Sequence, residues 1–409
     1  MEYVIIGNGT AAIACIEGIR TEDKQGEIAL ISAENRHCYG RPLISYKLLG
    51  RISADKMDYR PRDFYENNNV RTYLGREAVK IDAAAKTVVL DGGEKIPYSK
   101  LLVATGSRPF IPPVSGLDKI KYHTFMTYDD MEALERELSE DKRVLVVGAG
   151  LIGLKCVEGI LHRVKSVTVV DVADRVLPSI LDPDGARIIR AELEECGVKF
   201  ILGDSAAEFT DGTAVLKSGA RVEFDILVMA VGVRPNVSLI KDCGGDVDHG
   251  ITVNAKCETS LPDIYAAGDC SEGYDMSVDS KRVLAILPNA YFQGKCAGIN
   301  MAGGVASFVN AVPMNAIGFF GSHVLSAGSY DGELIVNEVS DSSLRKLYVK
   351  DGKLSGFVLI NDFARAGVYT SFIRNSTPLS DVDLELLKEK PQLLAFSKEE
   401  RKKKLARRV

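Results

Sequence analysis

Two short glycine runs carry the first chemistry of this sequence. Gly7-Asn8-Gly9-Thr10-Ala11-Ala12 follows the apolar stretch Tyr3-Val4-Ile5-Ile6, and Gly148-Ala149-Gly150-Leu151-Ile152-Gly153 follows Arg143-Val144-Leu145-Val146-Val147. A strand, a turn stripped of side chains and a helix N-terminus together bring backbone amides to an anion, which is what the pyrophosphate of a dinucleotide requires. In the first copy Gly7 makes the turn, Gly9 admits the phosphates and Ala12 allows close helix–strand packing. Gly148, Gly150 and Gly153 take the same roles in the second copy. Thr10, Ala11, Leu151 and Ile152 open the two helices and belong to the same anion sites. One such motif is weak, because glycine serves many turns; two copies, each between a strand and a helix, are a strong signal.

The ribose beside the pyrophosphate is gripped by an acid at the end of the next strand. Asp171 stands there in the second unit and favours NAD(H) over NADP(H), with Arg175 nearby as the contrary feature. In the first unit that place falls to Ser32. Glu34, two residues on, is either the ribose ligand or part of an exposed loop.

The elements around these motifs alternate between short apolar strands and helical stretches, an α/β pattern. Strands are expected at residues 3–6 and 28–32, with a helix between them to about residue 20, and again at 143–147 and 166–171 with a helix to about 161. The prolines of Arg108-Pro109-Phe110-Ile111-Pro112-Pro113 read as a linker, and Val233-Arg234-Pro235-Asn236 as a second crossing. After residues 311–313 the text turns strand-like at 333–339, 344–350 and 354–360, with Lys350-Asp351-Gly352-Lys353 as a hairpin turn. Residues 399–408 are charged and basic, a frayed helix or tail. The fold expected is two Rossmann-like dinucleotide-binding domains plus a small α+β C-terminal domain.

Bulk properties restrict the function. At 409 residues the chain needs two or three domains, and a net charge of −5 argues against nucleic acid as a partner. No apolar run is long enough to span a bilayer, and no secretory leader opens the chain, so a cytoplasmic protein is expected. The eight cysteines, at 15, 38, 156, 196, 243, 257, 270 and 296, include no Cys-x-x-Cys pair. No metal site or disulfide framework is therefore expected, and the thiols should be reduced and mostly buried.

Three further segments narrow the choice. Leu102-Val103-Ala104-Thr105-Gly106-Ser107-Arg108-Pro109 and its echo Met229-Ala230-Val231-Gly232-Val233-Arg234-Pro235-Asn236 are joined by Ile264-Tyr265-Ala266-Ala267-Gly268-Asp269-Cys270. In this order the chain resembles the FAD-dependent pyridine-nucleotide oxidoreductase superfamily over residues 1 to about 300. Tyr39-Gly40-Arg41-Pro42-Leu43-Ile44-Ser45 is similar to a stretch of NADH:rubredoxin reductases and of the FAD module of nitrite reductases. The resemblance implies a glutathione-reductase-like architecture. Residues 1–109 and 234–310 would form the FAD domain, 110–233 the NAD(H) domain, and 311–409 a C-terminal domain that shapes the flavin mouth or a homodimer face.

It also implies that Ala104, Thr105, Gly106, Arg108, Gly232 and Gly268 belong to the cofactor sites, and that Asp269 bonds the ribityl chain. Arg41, Pro42 and Ser45 would line the flavin. The usual lysine after that serine is Tyr46 here, with Lys47 one place late. Residues 287–290 open a helix aimed at the flavin, with Asn289 as its N-cap and Ala290 beside it. Lys155 stands where relatives carry a glutamate; it either faces the nicotinamide, as the one candidate catalytic side chain, or is solvated. Glu158 follows one turn later.

The flavin would carry the chemistry, taking hydride from NADH. The Cys-x4-Cys pair of disulfide reductases is missing, so the electrons are expected to leave to a small iron–sulfur carrier of the rubredoxin or ferredoxin type. The same reading includes the flavin subunit of a larger redox complex, and the basic tail is either a steering element for an acidic carrier or a solvated terminal helix. The alternative is a single-cysteine NADH oxidase or coenzyme A disulfide-type reductase using Cys38, whose neighbours Arg36 and His37 could lower a thiol pKa.

Overall fold

Successive side chains of Tyr3–Ile6 enter opposite cores. Tyr3 and Ile5 join Ile13, Ile16, Leu102 and Ala297, whereas Val4 and Ile6 join Ile31, Leu101, Val103 and Ile264. A strand buried on both faces must be apolar throughout, which is why this segment shows no polar alternation. It is the middle of a five-stranded parallel sheet in the order Ile264–Ala266, Lys100–Val103, Tyr3–Ile6, Ile28–Ser32, Val70–Leu74. The computed structural model describes residues 2–389 together with 392, 395, 401 and 402. Of the basic run at 401–408, only Arg401 and Lys402 lie among the described residues.

The chain divides into two compact units. The first holds the residues up to Pro112, His123–Leu138 and Met229–Ala311. Within it the helix Thr10–Glu22 packs on the helix Leu287–Met301 through glycine. A Cβ on Gly294 would stand 2.1 Å from the Ala11 carbonyl oxygen, and one on Gly298 would stand 2.2 Å from that of Cys15. The two backbones therefore touch, an approach that any side chain at these positions would prevent. The two proline stretches, read as a linker and a second crossing, pair with each other. Ser107–Pro109 runs antiparallel to Val233–Pro235, with Arg108 opposite Arg234. A two-stranded ribbon has only edge positions, where proline is tolerated.

The second unit holds Pro113–Tyr122, Ser139–Val228 and the described residues from Val312 on. Its parallel sheet runs Lys199–Leu202, Ser166–Asp171, Arg143–Val147, Ile226–Met229. A five-stranded antiparallel sheet follows, in the order Met314–Phe319, Ser322–Gly328, Lys353–Ile360, Leu344–Lys350, Glu333–Val339. Asp351 and Gly352 both take positive φ (51° and 68°), as the tight hairpin read at 350–353 demands. The Lys346 ammonium, 5% exposed, donates to Asp182 and, at 2.6 Å, to Asp184. Asp182 in turn caps the helix Pro183–Glu195 by accepting from Gly185 N at 3.0 Å. A buried cation is tolerable here because two carboxylates meet it.

Among the described residues no helix is long and apolar enough to cross a membrane, and no cluster of His, Cys, Asp and Glu could hold a metal ion. No disulfide links the cysteines, and six of the eight are buried.

Candidate functional site

In the first unit the strand Tyr3–Ile6 delivers the chain into the turn at Gly7, whose φ is +119°. Its N–H donates to Ile31 O at 2.8 Å, and a Cβ there would stand 2.1 Å from Ala104 O. Gly9 behaves differently: a Cβ would meet nothing within 4 Å. The turn is thus closed toward the protein at Gly7 and open at Gly9. Gly9 is the N-cap of the helix Thr10–Glu22, no side chain caps that helix, and no acid lies in its first turn. Its leading amides and the positive end of its dipole are left for an anion.

These amides face a cleft of about 580 Å³, within the range of cofactor sites. Gly7, Gly9, Glu34, Arg41, Ala104, Thr105, Gly106, Arg108 and Asp269, all singled out from sequence, line it. Asn8, Arg36, His37, Met126 and Asn236 line it as well, though none of them was assigned to a cofactor site from sequence. Asn236 fastens the segment at 104–106 in place: its Nδ2 donates to Thr105 O at 2.9 Å, its carbonyl accepts from Thr105 Oγ1 at 2.8 Å, and its N–H donates to Gly106 O at 2.9 Å.

Glu34 lies in a loop whose neighbours Ala33 and Asn35 are exposed, but its own side chain is held. Its carboxylate accepts from Tyr39 Oη at 2.7 Å and pairs with the Arg41 guanidinium, which also donates to Met126 O at 3.0 Å. Burial pushes the Asp269 carboxyl above the usual carboxylate range, opposed by the Arg41 charge and by the Ser107 hydroxyl at 3.4 Å. Other expected residues stand behind the cleft wall. Ala12 is fully buried against the sheet, and Gly268, at φ +82°, donates its N–H to Gln293 Oε1 at 2.9 Å. Pro42 is the N-cap of the short helix Leu43–Leu48, and the buried Ser45 hydroxyl donates to Pro42 O at 3.1 Å.

Asn289 is not an N-cap. The helix Leu287–Met301 is capped at Ile286, because Pro288 in the first turn starts it earlier. Asn289 and Ala290 are buried inside that first turn.

The second unit repeats the device. Gly148 has φ +119° and donates to Val170 O at 2.8 Å; Gly150 caps the helix Leu151–Ile160 without a side-chain cap, and a Cβ there also meets nothing within 4 Å. Leu151, Ile152 and the buried Gly153 form the first turn. Asp171 ends its strand and accepts from Ala149 N at 2.6 Å and Ala173 N at 2.8 Å. Arg175 pairs with Asp174 at 2.8 Å. Lys155 is not a solvated side chain: it is 14% exposed, pairs with Glu158, donates to Gly318 O at 3.0 Å and lies 5.4 Å from the Phe319 ring centre. Glu158 also accepts from Phe320 N at 3.1 Å.

Two sites, each a strand, a glycine turn and an uncapped helix, suit two dinucleotides. A family model described as pyridine nucleotide-disulphide oxidoreductase matches residues 1–294. The chain belongs to the pyridine nucleotide-disulphide oxidoreductase family. It is 31% identical over 392 residues to the epsilon subunit of the NADH-dependent phenylglyoxylate dehydrogenase of Aromatoleum evansii, covering 93% of each chain. It is 30% identical over 309 residues to a rubredoxin-NAD(+) reductase of Pseudomonas putida, covering 74% of this chain and 80% of the relative. Among solved structures, the covalent putidaredoxin reductase–putidaredoxin complex matches with a TM-score of 0.87 and 25% identity, over 96% of this chain and 97% of that one.

As a member of this family the chain is a flavoprotein oxidoreductase whose cofactors are FAD and NAD(H). It departs from the family's name in one respect, since Cys38 has no second cysteine until Cys156. Cys38 itself is 1% exposed and does not line the cleft. Burial pushes its thiol up, against the hydrogen bonds it shares with Tyr65 and Arg60.

Proposed function

We propose that this protein passes electrons between NAD(H) and a small iron–sulfur carrier of the rubredoxin or ferredoxin type, alone or as the flavin subunit of a larger redox complex. The observation that carries this reading is that no cysteine lines the cleft of the first unit. A thiol–disulfide reductase needs a reactive sulfur beside its flavin; without one, electrons taken from NADH must leave by another route. The relatives support the same direction, one being named for rubredoxin and another as a subunit of an NADH-dependent dehydrogenase.

The chain's residues have definite tasks in this scheme. The amides around Gly7 and Gly9 hold the FAD pyrophosphate, and those around Gly148 and Gly150 hold that of NAD(H). Asp171 orients the nicotinamide dinucleotide's ribose and repels a 2′-phosphate. Arg41 moderates the buried charge of Asp269. Bound FAD supplies hydride-accepting chemistry together with the capacity to release electrons one at a time. The eight cysteines, none of them in a disulfide, suit a reducing compartment such as the cytoplasm.

The test is steady-state NADH oxidation by the FAD-loaded protein with rubredoxin, ferredoxin, oxygen, peroxide and coenzyme A disulfide compared side by side. Turnover with an iron–sulfur carrier well above the other acceptors supports the proposal. Turnover confined to the last three acceptors overturns it.

A further inference from the structure

The two glycine turns are alike in backbone but are anchored differently. In the second, the strand-end carboxylate of Asp171 holds the middle residue, Ala149, by its N–H. In the first, the corresponding place is Ser32, whose hydroxyl donates to Glu34 O at 3.0 Å. The middle residue there is Asn8, and it is held by its own side chain. Asn8 Oδ1 accepts from Tyr65 Oη at 2.6 Å, and Asn8 Nδ2 donates to Arg36 O at 3.1 Å. The Tyr65 hydroxyl also accepts from Cys38 N at 3.1 Å.

Tyr65 is 8% exposed, on the short helix Phe64–Asn67, and its ring packs edge-on against His37 at 4.8 Å. One buried hydroxyl therefore ties the glycine turn to Cys38, the residue that follows the cleft-lining Arg36 and His37. Both its lone pair and its proton are used, so its loss leaves the Cys38 N–H and Asn8 Oδ1 without this partner.

We propose that Tyr65 is a positioning residue for FAD: bridging Asn8 and Cys38, its hydroxyl fixes the turn from Gly7 to Gly9 in the form that receives the pyrophosphate, the task that Asp171 performs in the NAD(H) turn. This rests on the assignment of the first turn to FAD.

The experiment measures FAD affinity of the apoprotein by quenching of flavin fluorescence. The parent is compared with Tyr65→Phe, Asn8→Ala, the double variant and Gly9→Val. Tyr65→Phe keeps the ring and its packing and weakens FAD binding about ten-fold. Asn8→Ala also weakens it, and the double variant loses less than the product of the two single losses, because both remove the bond between Asn8 and Tyr65. NADH affinity, set by the other turn, stays at the parent value in each. FAD affinity of Tyr65→Phe within about two-fold of the parent, or additive losses in the double variant, overturns the proposal. Should Tyr65→Phe fail to fold, Asn8→Ala, which removes the other end of the same bond, carries the test: FAD affinity within about two-fold of the parent then overturns the proposal. Gly9→Val tests the underlying assignment separately. A Cβ there meets no atom within 4 Å and Gly9 lines the cleft; undiminished FAD binding by the folded Gly9→Val protein would mean that the turn itself is not the FAD site.

Discussion

The backbone N–H of Ala149 donates to Asp171 Oδ2 at 2.6 Å, joining the middle of the second glycine turn to the end of the next strand. One carboxylate thus holds the turn, and in the proposed assignment the same carboxylate would meet the ribose. Asp171→Ala is expected to weaken NADH binding about ten-fold or more and to raise the NADPH-to-NADH preference. Flavin reduction measured at graded concentrations of each nucleotide checks this. An unchanged preference would remove Asp171 from the nucleotide site.

Lys155 and Glu158 form a nearly buried ion pair that also binds Gly318 O and Phe320 N. Lys155→Met leaves the Glu158 charge uncompensated and should cost about 3 kcal/mol in denaturant unfolding. Adding Glu158→Met should recover most of that loss. Flavin reduction by NADH in the stable double variant then separates the two roles. A parental rate makes the pair structural, and a large loss gives Lys155 a contact with the nicotinamide.

Cys38 is buried, and its thiol is pushed up by that burial. Cys38→Ser should retain NADH oxidation within about two-fold, and thiol alkylation at neutral pH should be slow at this position. Loss of turnover in Cys38→Ser would revive a single-cysteine mechanism.

Arg143 holds Asp225 through its guanidinium at 3.0 Å and its own N–H at 2.7 Å, and these bonds draw the Asp225 carboxyl down to about 2. The folded-state value lies below the unfolded one, so the pair stabilises the fold above about pH 4 and loses that effect as pH falls toward 2. Asp225→Asn should therefore melt below the parent at neutral pH, with the gap closing on acidification through that window. A gap independent of pH would show that the ionised carboxylate is not the source.

The parts of the fold legible in the sequence were those whose requirements are local. Gly7 and Gly148 announce themselves because a strand, a positive-φ turn and a helix must follow in a few residues, and both take φ +119°. The tie between Asn8 and Tyr65 spans 57 positions, and no periodicity reports it. Glu158 was noted one turn after Lys155 without its ion pair, although that spacing allows one on a helix, and the third member, Gly318, comes from a strand 163 positions away. Asn289 was misread for a nearer reason. Its residue type suits a cap, yet Pro288 one place earlier already fixes the first turn. The prolines near 109 and 235 were read as a linker and a second crossing, and their mutual pairing went unseen because it joins segments more than a hundred positions apart.

The most direct test of electron transfer to an iron–sulfur carrier is a rapid-mixing experiment without oxygen. The FAD-loaded protein is reduced with one equivalent of NADH, then mixed with oxidised rubredoxin or ferredoxin while flavin and carrier absorbance are followed together. Flavin reoxidation matched by carrier reduction, faster than reoxidation by oxygen or peroxide, is the expected result. A flavin that stays reduced with every carrier but is rapidly reoxidised by oxygen or peroxide would contradict it.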